Sequence, residues 1–292
     1  MILAVGGGSV IDASKLLSHS YFYDGDAFDF ITRKTAPEKH LPLGVILTIS
    51  AAGSELSSSC VITNDEITPF RKLGFNSDTN RPLFAVLNPE NTFSVNKYQT
   101  ACGIVDIMMH TLERFMNNED ESELSDSFAL GLLKTVIKCG RIAMNNPNNY
   151  EARAELMLAS SYSHNGLTGL GKRTYMRVHG MEHILSGVYD QVAHGAGLSI
   201  LWPAWCYYEL DNKNAHKKLT ILARELFNED NAKIGIDKLK EFFKELNMPT
   251  SLKDLDFKVD VSLLANEYKK YNKINENDFK PINIEEILAL AN

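Results

Sequence analysis

The chain has 292 residues, with 30 Lys and Arg against 37 Asp and Glu, for a formal charge of −7. That length accommodates two domains with sizeable cores. The acidic balance, with no stripe of Lys and Arg, argues against nucleic acid as a partner. Cys60, Cys102, Cys139 and Cys206 are scattered, with no CxxC pair. This speaks against a disulfide framework and a thiolate zinc site, and it fits a reducing cytosol. No apolar run reaches membrane-spanning length, and the opening MILAV is too short and uncharged for a signal peptide. The expectation is a soluble cytoplasmic protein without a membrane partner.

From residue 1 to about 95 the pattern alternates strand and helix. MILAV reads as a buried parallel strand, Gly6-Gly7-Gly8 as a tight turn, and Ser9 as the N-cap of a helix through Leu16 and Leu17. LPLGVILTI (41–49) and PLFAVL (82–87) read as further apolar strands, with CVITN and RKLGFNS as an antiparallel hairpin or flap between them. Short buried strands alternating with helices imply an open α/β sheet. A buried parallel strand needs neighbours on both sides. A chain opening on one is therefore expected to have lost an upstream part of its sheet, and its bare edge to invite aggregation or pairing with another chain.

Behind Pro89 the texture becomes helical. Runs at 97–117, 122–145, 150–170, 173–188, 198–210, 213–228 and 235–247 carry apolar residues at helical spacing, with shorter helices at 261–271 and 284–291. Pro147, Pro203 and Pro249 are expected to mark helix ends. The predicted organisation is an α/β unit over 1–95 followed by an all-helical unit over 96–292.

Two phrases carry chemistry. GGGSVIDASK places three glycines between strand and helix, where the backbone can approach a ligand closely and free N–H groups can hold an anion. It is not the GxGxxG fingerprint, and a plain strand-to-helix turn remains an alternative. The loop TISAAGSELSS (48–58) also follows a strand, and two such loops at one sheet end resemble the ligand crevice of open α/β folds.

The second signal is a set of metal-binding side chains. Asp106 and His110 lie four residues apart in GIVDIMMHTLERF, as do His179 and His183 in VHGMEHILSGVYDQVAHGAG, so each pair shares a helix face. Asp106 sits in an apolar run, where a bare carboxylate is costly unless paired or metal-bound. His194 is expected at a turn made by Gly195 and Gly197, before a helix starting at Leu198. HExxH is absent, since Glu182 directly precedes His183. Taken singly, each residue also reads as a capped or solvated polar side chain. Together, one carboxylate and two or three imidazoles suit a borderline cation such as Fe(II) or Zn(II). His19, His40, His164 and His216 lack such company in the sequence.

With these phrases, AAGSE, LNPE, ASSYSHNGLTGLG and AHGAGLSILWPAW included, the whole chain resembles the iron-containing (group III) alcohol dehydrogenases, most closely the bacterial NAD(P)H-dependent butanol dehydrogenases. The resemblance implies an N-terminal Rossmann-like dinucleotide-binding domain, truncated here, an all-helical metal-binding domain, and the metal in the cleft between them. It implies Asp106, His110, His179 and His194 as ligands of Fe(II) or Zn(II), and His183 as a proton relay. It further implies Gly7, Gly8 and Ser9 as the pyrophosphate loop of NAD(H) or NADP(H), with Thr48, Ser57 and Lys72 beside the cofactor. The expected reaction is hydride transfer between that cofactor and a short-chain primary alcohol or aldehyde, by a cytoplasmic homodimer.

Three departures stand out against the family pattern: the first strands of the cofactor domain are absent, Ala52 stands where a threonine is common, and Asn88 where an aspartate is usual. The competing readings are a catalytically silent family remnant that keeps the metal site, half of a split enzyme, or a metal-dependent lyase or cyclase on the same architecture.

Overall fold

The computed structural model describes residues 1–67, 69–118, 122–271 and 278–292. Its first part is built on a three-stranded parallel sheet: β1 (Ile2–Gly6), β2 (Leu43–Leu47) and, late in this part, β5 (Phe84–Val86). β2 lies in the middle, in register with β1 from Ile2↔Leu43 to Gly6↔Leu47 and with β5 from Gly44↔Phe84 to Ile46↔Val86. A helix α1 (Gly8–Ser20) and a single turn α2 (Phe28–Ile31) follow β1. The antiparallel flap β3 (Ser59–Asn64) and β4 (Arg71–Asn76) stands apart from the sheet. Helix α1 starts one residue before the expected Ser9 cap, with Gly7 in extended backbone at the N-cap and no side chain capping it.

MILAV is an edge strand among the described residues, not a buried one. Ile2 and Ala4 pack inward with Leu43, Val45, Leu47 and Met157, whereas Leu3 and Val5 are about half exposed, at 49% and 55%. Their register partners continue the stripe, because Phe84 and Val86 are each 45% exposed and Ile46 is half-buried between them. A continuous apolar face beside an unpaired strand edge favours association. The 292-residue chain is therefore expected to self-associate as its concentration rises. The double substitution Leu3→Lys with Val5→Lys should suppress this in light scattering, and a wild type that stays at one mass over the range would contradict it.

Behind the sheet lie α3 (Lys97–Phe115), α4 (Glu123–Asn145), α5 (Tyr150–His164), α6 (Arg177–Val188), α7 (His194–Glu209), α8 (Lys213–Phe227), α9 (Ala232–Glu245), α10 (Val261–Tyr271) and α11 (Ile284–Leu290). Helix α3 starts where the Asn96 side chain accepts the Gln99 N–H at 2.8 Å, and every residue from Thr100 to Phe115 is buried. It is the core's central rod.

Two sequence expectations fail on α7. Pro203 lies inside the helix, because Leu198, Ile200, Leu201, Trp202, Ala204 and Trp205 are buried around it and hold both halves in place despite the missing N–H. The helix also begins at His194 itself, so Gly195 and Gly197 are helical. A Cβ on Gly195 would fall 2.4 Å from the Cys102 carbonyl oxygen, and one on Gly197 would fall 2.8 Å from Glu182 Cγ. These glycines let α7 approach α3 and α6 closely.

The far end of α7 carries a pH-sensitive group. Glu209 is wholly buried, and neither carboxylate oxygen has a hydrogen-bond partner among the described residues. Burial pushes its carboxyl up to about 8, against the opposing pull of Lys280. A folded value above the unfolded one means the native state holds the proton more tightly, so stability falls as pH rises from about 4.5 to about 8. Glu209→Gln should flatten that slope and stabilise the chain above pH 8 by on the order of 1–3 kcal/mol. Urea melts on both sides of the window test this, and parallel pH slopes for the two proteins would contradict it.

Candidate metal centre and cofactor cleft

Between the strand ends, the flap and the helices lies a cavity of about 880 Å³. Gly7, Gly8 and Ser9, Ser57, Lys72, Asp106, His110, His179, His183 and His194 all line it. Thr48 does not; its backbone N–H joins the Gly6 carbonyl at 3.2 Å. Of the residues singled out in the sequence, nine with Asp106 at their centre thus share one cleft with His183, while Thr48 lies outside it, one residue past the end of β2.

At its helical end the side chains converge on a single atom. Asp106 Oδ1 lies 3.3 Å from His110 Nε2, 3.5 Å from His179 Nε2 and 3.7 Å from His194 Nε2. Asp106 and His110 come from one face of α3, His179 from α6 and His194 from the start of α7. Donor atoms of Asp106, His179 and His194 all lie within 4.8 Å of one another. The buried Asp106 Oδ1 and His179 Nε2 have no hydrogen-bond partner among the described residues, as atoms reserved for a cation would. One carboxylate oxygen and imidazole nitrogens on open lone pairs match Fe(II) or Zn(II). The donor set fits the group.

Carboxylates behind the imidazoles set their orientation. Glu113 Oε2 contacts His179 Nδ1, and its Oε1 accepts the Val178 N–H at 2.6 Å. Glu182 Oε2 contacts His194 Nδ1. Each carboxylate accepts from an Nδ1–H, which leaves Nε2 free to face Asp106. Burial disfavours a charged His179 ring, but Glu113 and Asp106 outweigh it and hold the group up at about 9, so a cation bound there would displace the Nε2 proton. Burial likewise opposes charge on Glu182, yet His194 and Lys72 hold its carboxyl far below the usual range. His183 is pushed well below 6.5 by burial and by Lys72 and His194, so its ring is neutral.

Sequence reasoning missed several members of the site. His164, at the end of α5, sets its Nδ1 2.9 Å from His110 Nε2 and lines the cleft. Glu113 and Glu182 escaped notice because their partners lie in other helices or turns. Within GIVDIMMHTLERF, the buried position of Glu113 three residues after His110 was the only available hint.

At the sheet end, α1 opens on Gly8 and Ser9 with no side-chain cap, directing its first N–H groups at the cleft. Lys15 is buried, and its ammonium donates to Ser54 Oγ at 2.8 Å and to the Ser59 carbonyl at 2.6 Å. Its partner Asp12, 3.5 Å away, accepts the Val61 N–H at 2.9 Å and the Ser54 hydroxyl. The loop after β2 is held to α5 by Ser161, which donates to Glu55 at 2.5 Å, and by the Ala51 N–H on Ser160 Oγ at 3.1 Å. The cradle's walls are thus fixed before any ligand arrives. No described helix is long and apolar enough to cross a membrane.

Comparison with known proteins gives the geometry its family. Residues 1–89 match the iron-containing alcohol dehydrogenase description and residues 100–292 the Fe-containing alcohol dehydrogenase family, C-terminal. NADH-dependent butanol dehydrogenase A of Clostridium acetobutylicum is 39% identical over 99% of this chain and 76% of its own length. The NADPH-dependent aldehyde reductase YqhD of Escherichia coli is 33% identical over 87% of this chain and 66% of its own. The crystal structure of NADH-dependent butanol dehydrogenase A from Thermotoga maritima superposes with a TM-score of 0.92 at 32% identity, covering 99% of this chain and 75% of that one. On this agreement of sequence and fold, the chain belongs to the iron-containing alcohol dehydrogenase family.

Proposed function

We propose that this chain is a metal-dependent alcohol dehydrogenase working as an aldehyde reductase, moving hydride between NAD(H) or NADP(H) and a short-chain primary alcohol or aldehyde. The observation that carries the reading is the convergence of three imidazole Nε2 atoms on the unpartnered Asp106 Oδ1 at the end of a cleft that also reaches the uncapped start of α1. Residues 1–95 form the cofactor half and 96–292 the metal half. The relatives named for butanol and for aldehyde support the substrate class. Four buried, unpaired cysteines agree with work in the cytosol. A homodimer is part of the proposal.

Asp106, His110, His179 and His194 would hold the cation, Fe(II) in preference to Zn(II), and its Lewis acidity would stabilise negative charge on the substrate oxygen. The nicotinamide brings the hydride. Gly7, Gly8 and Ser9 would receive the pyrophosphate on backbone N–H groups, with Ser57 and Lys72 on the cofactor's flank and Thr48 behind them at the end of β2. His183, neutral and lining the cleft, would pass the alcohol proton between substrate and solvent.

The test is consumption of NADH and of NADPH by the Fe(II)- or Zn(II)-loaded chain with butanal. A metal-loaded chain that binds neither nucleotide would replace this reading with the silent remnant.

A further inference from the structure

The two carboxylates behind the metal-facing imidazoles are not equivalent. Glu113 spends both oxygens within the helical part: on the His179 ring, on the Val178 N–H at 2.6 Å and on the His179 N–H at 3.3 Å. Glu182 is as deeply buried, but its Oε2 has a second neighbour across the cleft. Lys72, on flap strand β4, places its ammonium 3.7 Å from that oxygen and 3.2 Å from His194 Nδ1. The remaining oxygen, Oε1, has no partner among the described residues, so Lys72 and His194 are the groups that orient this carboxylate.

The flap is anchored unevenly. Its first strand, β3, is tied to α1 through Asp12 and Lys15. Its second strand, β4, lies against α6, where the Phe70 carbonyl approaches Gly187 so closely that a Cβ there would fall 2.4 Å away. Lys72 is the charged link from β4 into the site.

We propose that Glu182 is a positioning residue joining the flap to the metal centre: it fixes His194 for the cation and, through Lys72, makes the order of β4 depend on the cation. This rests on the metal reading above. A cation on His194 Nε2 fixes the ring. The fixed Nδ1–H then fixes Glu182, whose charge holds Lys72 and hence the strand carrying it. The coupling is reciprocal, so a well-ordered flap also tightens the grip on the metal. Glu113 has no such branch and serves as the internal control.

The experiment uses the full chain stripped of metal with a chelator and titrated with Zn(II) alone, reading Zn(II) affinity by calorimetry and amide exchange over Arg71–Asn76. In the wild type, Zn(II) should slow exchange in β4 by about tenfold or more. Glu113→Gln and Glu182→Gln should each weaken Zn(II) by roughly 10–100-fold. At saturating Zn(II), protection of β4 should survive in Glu113→Gln and vanish in Glu182→Gln and in Lys72→Met, with Lys72→Arg restoring part of it. Lys72→Met leaves the buried carboxylates intact and keeps the test open even if Glu182→Gln fails to fold. Zn(II) binding without any change in β4, or protection that persists in Lys72→Met, overturns the link alone. A wild type that does not bind Zn(II) overturns the metal reading together with it.

Discussion

Replacing His194 by alanine is expected to remove both the cation and turnover. The ring leaves the converging set around Asp106 Oδ1, and the loss is also felt behind it, where Glu182 loses the Nδ1–H that balances its buried charge. Outer partners of metal ligands are each worth roughly 10–100-fold in affinity, so an inner ligand should exceed that range. With the cation gone, several kcal/mol of charge stabilisation at the substrate oxygen disappears, or about a thousandfold or more in rate. Metal content by atomic absorption and NAD(P)H consumption with butanal are the two measurements. The exposed His216 supplies the control, and His216→Ala should leave both unchanged. A His194→Ala chain that keeps stoichiometric metal and full turnover would remove this residue from the ligand set.

Legibility in the sequence follows the range of the interactions. Asp106 with His110 and His179 with His183 are each one helical turn apart, so helical periodicity alone puts each pair on a face. The apolar setting of Asp106 then makes an isolated carboxylate expensive. Helix α3 needed no tertiary knowledge. The same holds for the flap, whose alternating runs pair as read, and for the glycine turn opening on α1.

What stayed hidden depends on contacts between distant segments. His164 is one more histidine near a helix end until α5 sets it against His110. Glu113 and Glu182 look like ordinary helix carboxylates until α6 and α7 pack. Gly195 and Gly197 read as a turn because local propensity disfavours glycine in helices. Their reason for being there is the closeness of Cys102 and Glu182, which no local pattern encodes. Pro203 misleads in the same way, since tertiary burial holds a helix that the local rule would end. MILAV has the composition of a strand covered on both faces, and among the described residues only the face with Ile2 and Ala4 is covered, in keeping with the bare edge expected from the sequence.

The cofactor side offers the second large effect, at Asp12. Its carboxylate lies 3.5 Å from a Lys15 ammonium that is almost wholly buried, and it also accepts the Val61 N–H and the Ser54 hydroxyl. Asp12→Ala would leave Lys15 with hydroxyl and carbonyl acceptors and only the weaker pull of the buried Glu55 as counter-charge. Stranding one member of a buried ion pair costs about 3–5 kcal/mol, a large share of a typical folding free energy. The damage should be local as well as global, because Asp12 joins α1 to the loop at Ser54 and to β3 at Val61. All three of these residues line the cleft beside Gly7, Gly8 and Ser9. The variant should therefore show a lower urea midpoint and weaker NAD(P)H binding, with Zn(II) affinity less affected, since Asp106 and its imidazoles lie on other elements. Asp12→Asn keeps the acceptor oxygen and the shape without the charge and should fall between the two. Equal stability in the wild type and Asp12→Ala would mean that Lys15 sheds its charge or finds water at little cost, and that the cradle does not need the pair to stay closed.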